Sequence, residues 1–184
     1  SHMGFVLLGL MTRSSMGIYG AVFQMVAHGA VMGLLFALVG RVDIWTGTRQ
    51  MDELGSLALR APKAAWGLVL ALLASTSLPG TAGFVAELHI LSAGWERYGW
   101  VVVFASMGAV IWVAAVIRAM ERLLWGTPYA QRTEPLPDLG WSELAGLLPL
   151  GGMLLLLGLA PQLCWNISIN SIRVVSQALS QERP

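Results

Sequence analysis

Apolar runs of membrane-crossing length alternate with short polar connections along the chain, and this pattern predicts an all-α, polytopic membrane protein. The run at 1–12 falls short of the roughly 20 residues a span needs and reads as the end of a transmembrane helix. Full spans are predicted at 16–40, 64–94, 99–122 and 141–160, the last bent at Pro149. The polar connection at 41–63 is expected to carry a short amphipathic helix on the membrane surface. Trp95-Glu96-Arg97-Tyr98 reads as a tight interfacial turn, 123–140 as a loop, and 161–184 as an amphipathic tail. The expected fold class is therefore four full transmembrane helices plus a partial N-terminal one.

The span at 64–94 is the unusual one. Its middle, LPGTAGFVAEL, places Leu78-Pro79-Gly80 where a helix should continue and Glu87 just beyond. Proline removes a backbone donor and crowds the preceding turn, while Gly80 and Gly83 lower the cost of leaving helical geometry. Backbone groups freed at membrane depth must be satisfied by protein or water, so a broken helix points to a polar pathway. An ionisable side chain near the bilayer centre costs about 2.5–3.5 kcal/mol on insertion scales and usually belongs to a functional route. The plainer alternative is a proline kink beside a neutral, hydrogen-bonded glutamic acid that only fastens helices together.

In the span at 16–40, Gly20, Gln24 and His28 recur every four residues and share one stripe, which therefore faces protein or water rather than lipid. His28 is either a packed neutral histidine or, given its depth and its titration near neutral pH, a proton carrier. Gly29 and Gly33 form a small-xxx-small pair that would admit a neighbouring helix.

Composition narrows the function classes. Charged residues make up 11% of the chain and hydrophobic ones 56%, against about 25% charged in soluble domains. A net charge of +1 offers no basic stripe, so no nucleic-acid partner is expected. The lone Cys164 cannot form an intrachain disulfide, and no Cys/His spacing suits zinc or an iron–sulfur cluster. Seven of the eight tryptophans fall near span ends or in connections, as an aromatic belt would place them, and Trp112 is the exception. Arg41, Arg49, Arg60, Lys63, Arg118, Arg122 and Arg132 share one side, against Arg13, Arg97, Arg173 and Arg183 on the other. The richer side is expected to be cytoplasmic, with the C-terminus outside.

SHMGFVLLG, GAVFQMVAHG and LPGTAGFVAEL, in this order and spacing, resemble the C-terminal part of the M-type subunits of proton-pumping NADH–quinone oxidoreductases (complex I). The mitochondrial subunit 4 and the cyanobacterial and plastid D subunit are relatives of these. The related L-type and sodium–proton antiporter subunits typically carry lysine where this chain has Glu87. Ser-His-Met-Gly-Phe is also the family's own sequence at this place, so Ser1-His2-Met3 reads as native rather than as an expression-tag scar.

The resemblance implies a fourteen-helix, antiporter-like fold of two inverted repeats, of which this chain supplies later helices of the second. It assigns His2, His28 and Glu87 to a chain of protonatable groups crossing the subunit. About nine earlier helices of the resembled subunits, with their buried lysines, would come from a longer version of the chain or from a partner. Without them the chain is not expected to pump. His89 falls outside the pattern and reads as a packing residue.

No cofactor is expected on this chain. NADH, FMN, iron–sulfur clusters and quinone would sit in partner subunits. The implied partners are L-, N- and K-like membrane subunits, the N-terminal part of the same subunit, the lipid bilayer and protons. The implied location is the bacterial inner membrane, with a thylakoid or other energy-converting membrane as the alternative. Other readings are an antiporter-like subunit of a sodium–proton exchanger or membrane-bound hydrogenase, or a non-conducting scaffold. A quinone-binding enzyme is disfavoured, because no polar pocket motif is present.

Overall fold

The structure, a computed structural model, describes residues 2–126, 136–163, 165, 166, 172 and 174. Cys164, the loop residues 127–135 and most of the expected tail lie outside the described residues. Every regular element among the described residues is helical: α1 (His2–Met11), α2 (Ser15–Thr46), α3 (Met51–Leu54), α4 (Leu57–Arg60), α5 (Pro62–Ser75), α6 (Ala82–Tyr98), α7 (Val101–Met120) and α8 (Trp141–Leu159). A π-helical turn, Glu121–Trp125, continues α7.

Helix α2 is the hub, packed against α1, α5, α6 and α8. Its start is set by Ser14, whose hydroxyl accepts the Gly17 N–H at 3.0 Å. Its end is set by Gly47 at φ +67°, a left-handed cap whose N–H reaches the Asp43 carbonyl. At 32 residues it rises about 48 Å, longer than the hydrocarbon core, so it carries on past the predicted span end at residue 40 into the polar connection. Two short helices, α3 and α4, stand in that connection in place of the single one expected. They pack on the π-helical turn, where Leu124 is buried.

Three helices among the described residues are long and apolar enough to cross a membrane: Ser15–Thr46, Val101–Trp125 and Trp141–Leu159. The predicted span at 64–94 is two separate helices. Helix α5, 14 residues, rises about 21 Å, and α6, 17 residues, about 26 Å, so neither half alone matches a core of about 30 Å. Residues Trp95 to Tyr98 are the last turn of α6 rather than an interfacial turn, because nothing in them stops a helix. The chain turns at Gly99, whose φ of +58° favours glycine. Helix α8 runs through Pro149 without interruption.

Close helix approach also differs from the expectation. A methyl added at Gly29 meets nothing within 4 Å, and at Gly33 only the Leu150 side chain at 3.5 Å. The tight crossings of α2 lie nearer its start. A Cβ on Gly20 would stand 3.0 Å from the Ala86 carbonyl of α6, and one on Gly17 would stand 2.7 Å from the Gly9 carbonyl of α1. These glycines let α1 and α6 lie directly on the face of α2 that carries Gln24.

The start of α5 is capped from far along the chain. Asp138 accepts the N–H groups of Lys63 at 2.9 Å and Ala64 at 3.1 Å, and Pro62 at the first position needs no acceptor. The Lys63 ammonium donates to the Leu139 carbonyl at 3.3 Å, and Arg41 pairs with Glu143. Asp138→Ala is expected to lower stability by about 1–2 kcal/mol, the worth of a helix cap, with Asp138→Asn in between. Thermal melting of the detergent-solubilised protein measures this.

Candidate functional site

The site forms where α5 stops and α6 starts. After Ser75 the chain turns through Ser77 at φ +55° and Gly80 at φ +95°, and Thr81 precedes α6. Thr81 donates its hydroxyl to the Leu78 carbonyl at 2.8 Å, closing the loop locally. The broken end of α5 leaves carbonyls without helical partners, and these must be paired in an apolar surround. Trp112 supplies one partner, donating its indole N–H to the Ser75 carbonyl at 2.9 Å. This explains why one tryptophan stands mid-span, away from the interfaces.

Glu87 lies about one and a half turns into α6, and its side chain is 14% exposed. Its Oε1 stands 3.7 Å from Nδ1 of His2, within ion-pair range but too long for a direct hydrogen bond. The His2 ring lies 5.2 Å from the His28 ring, centroid to centroid, and 6.0 Å from Trp112 edge-on. Glu87, His2 and His28 therefore form a row with His2 in the middle. Three helices contribute one member each, and the two close crossings of α2 hold them together.

Sequence reasoning passed over three side chains as members of this site. Gln24, 2% exposed, brings Nε2 within 3.1 Å of His2 Nδ1, and its signal was the polar stripe it shares with His28. Ser77 is buried in the break, and Trp112 stood out only as a misplaced tryptophan. His89 lies outside the row. Its Nδ1–H donates to the Val85 carbonyl at 2.7 Å and its ring packs edge-on against Tyr19. Among the described residues no three His, Cys, Asp or Glu side chains gather closely enough to hold a metal ion.

A bundle of helices long and apolar enough to cross a membrane, with one helix broken beside a mostly covered carboxyl, shares its fold with chains of respiratory complex I and of an Mrp complex. The family model described as NADH:quinone oxidoreductase/Mrp antiporter, transmembrane, matches residues 1–112, and the chain belongs to that family.

NADH-quinone oxidoreductase subunit M of Rhodobacter capsulatus is 34% identical over 163 residues, covering 89% of this chain and 32% of the relative. The subunit of the same name from Pseudomonas aeruginosa is 35% identical over 179 residues, 97% of this chain and 35% of the relative. A chain of respiratory complex I from Thermus thermophilus superposes with a TM-score of 0.86 at 26% identity, covering 96% of this chain and 37% of that one. A chain of the Mrp complex from Dietzia shares the fold, with a TM-score of 0.82 at 20% identity, 96% of this chain and 41% of that one. The chain thus spans about a third of the length of the curated relatives it matches.

Proposed function

We propose that this chain is part of the proton-translocating membrane arm of an NADH–quinone oxidoreductase, as a segment of its M-type subunit. Glu87, His2 and His28 act as the relay. The observation that carries the proposal is the position of His2, with Glu87 3.7 Å from one ring nitrogen and the His28 ring 5.2 Å away. An imidazole can take a proton at one nitrogen and release one at the other, so a histidine between an acid and a second histidine passes charge through its ring. The break in the backbone places Ser77 beside the two histidines, and Gln24 of α2 lines the same small cavity.

Quinone reduction, with NADH, FMN and iron–sulfur clusters, belongs to partner subunits in this proposal. The energy reaches the chain as rearrangement of neighbouring charges in L-, N- and K-like subunits and in the rest of the M-type subunit. The location follows the relatives, an energy-converting bacterial or thylakoid membrane. A sodium–proton exchanger keeps the fold but is disfavoured by the acid at position 87.

The test cuts the row at its centre. His2→Phe keeps an aromatic ring and removes both nitrogens. In the assembled complex, reconstituted in vesicles, protons moved per quinone reduced are expected to fall by about a hundredfold, the scale of a lost proton-transfer group. Translocation at the wild-type ratio would leave the non-conducting scaffold as the better account.

A further inference from the structure

Three buried polar atoms at the break have no hydrogen-bond partner among the described residues: Nε2 of His2, Oε1 of Gln24 and Oγ of Ser77. Leaving such groups unpaired costs about 1–3 kcal/mol each, so three in one place call for a shared partner. His2, Gln24 and Ser77 all line one small cavity, together with His28. Its volume open to a water-sized centre is about 10 Å³, close to the space one water needs, and a buried water typically makes about three hydrogen bonds.

The opposite side of the His2 ring explains which proton the water would meet. Gln24 Nε2 lies 3.1 Å from Nδ1, and an amide nitrogen can only donate. Nδ1 of the neutral ring must then be the acceptor, which leaves the ring proton on Nε2, facing the cavity. The same Nδ1 has the Glu87 carboxyl 3.7 Å away. Gln24 thus keeps Nδ1 unprotonated, and its N–H turns aside when the Glu87 acid closes the 3.7 Å gap and protonates the ring there.

We propose that the break binds one water molecule between His2 Nε2, Gln24 Oε1 and Ser77 Oγ, and that Gln24 is the positioning residue that holds His2 in the tautomer facing it. The inference rests on the relay described above and fixes its direction through the ring. In one transfer the O–H bond of the Glu87 acid breaks and an N–H bond forms at Nδ1. The Nε2–H bond then breaks as the water takes that proton and gives one of its own to a ring nitrogen of His28. Glu87 ends as carboxylate, His2 as neutral imidazole and His28 as imidazolium, so atoms and charge balance.

The experiment uses the assembled complex with the full-length subunit, comparing Gln24→Leu and Ser77→Ala with His2→Phe. Protons moved per quinone reduced are expected to fall about tenfold in Gln24→Leu and about threefold in Ser77→Ala, the scale of one hydrogen bond on the path. Nitrogen-15 NMR of histidine-labelled complex, with His2 assigned by difference from His2→Phe, reports the tautomer. The wild type is expected to show the proton on Nε2, and Gln24→Leu to populate Nδ1–H. A wild-type His2 protonated on Nδ1 in the resting complex, before any proton has passed, overturns the inference. So does wild-type translocation in both Gln24→Leu and Ser77→Ala while His2→Phe is inactive, an outcome that leaves the relay itself standing. Wild-type translocation in His2→Phe removes the relay and this inference together. Should Gln24→Leu fail to assemble, the wild-type tautomer and Ser77→Ala decide the matter, because that change removes a single oxygen.

Discussion

Glu87→Gln, in a complex that still assembles, is expected to lower proton translocation by about a hundredfold or more. Glutamine has the size and hydrogen-bonding reach of glutamic acid, so the packing of a side chain only 14% exposed is retained. What it lacks is a proton that can leave. A positioned group that gives or takes a proton typically contributes 10²–10⁴-fold, and here the group would be the entry to the His2 ring. The same substitution removes an ionisable group from apolar surroundings, so stability is expected to hold or to rise slightly. Opposite signs in stability and function separate a working acid from a structural one. Vesicle acidification, measured beside quinone reduction and thermal melting, reads all three quantities. Glu87→Asp, with the carboxyl drawn back by one methylene, is expected to recover part of the rate. Full translocation in Glu87→Gln would mean that the carboxyl does no more than fasten helices.

Gly158→Ala is the second large effect, and it acts on backbone rather than on chemistry. Gly158 of α8 lies directly on the break: a Cβ there would run into the Gly80 carbonyl oxygen and stand 2.5 Å from the Thr81 carbonyl carbon and 2.6 Å from the Gly80 carbonyl carbon. Those are backbone atoms, and Gly80 already holds φ at +95°, so neither side can yield cheaply. The expected cost is about 3 kcal/mol or more, at the upper end of overpacking penalties. It should appear as a lower melting temperature or failed assembly. Gly152→Ala, on the same helix with nothing within 4 Å of the added methyl, is the control and is expected to change stability by less than about 1 kcal/mol. Equal effects at the two positions would show that α8 does not brace the break.

Much of this protein was legible in its residues because lipid as a solvent leaves few options. Apolar runs in a chain with 11% charged residues must be helices, since only helices satisfy their own backbone there. Leu78-Pro79-Gly80 likewise marked the break between α5 and α6, because proline and glycine act on local backbone geometry. Where helices stop was harder to read. Residues Trp95 to Tyr98 look interfacial by composition, yet the helix persists until Gly99 supplies a positive φ.

The arrangement of the site was a matter of tertiary structure. Residues 2, 28 and 87 could be named individually from the chain, but their order could not. The ring of His2 comes to lie between the other two because glycines 9, 17 and 20 let α1 and α6 approach α2 closely, whereas Gly29 and Gly33, equally plausible by spacing, take no part in these crossings. Gln24, Ser77 and Trp112 joined the site for the same reason. A side chain's type and period are local properties of the chain. Which atom it faces depends on how several helices pack, and a polar group at membrane depth takes its role from that neighbour.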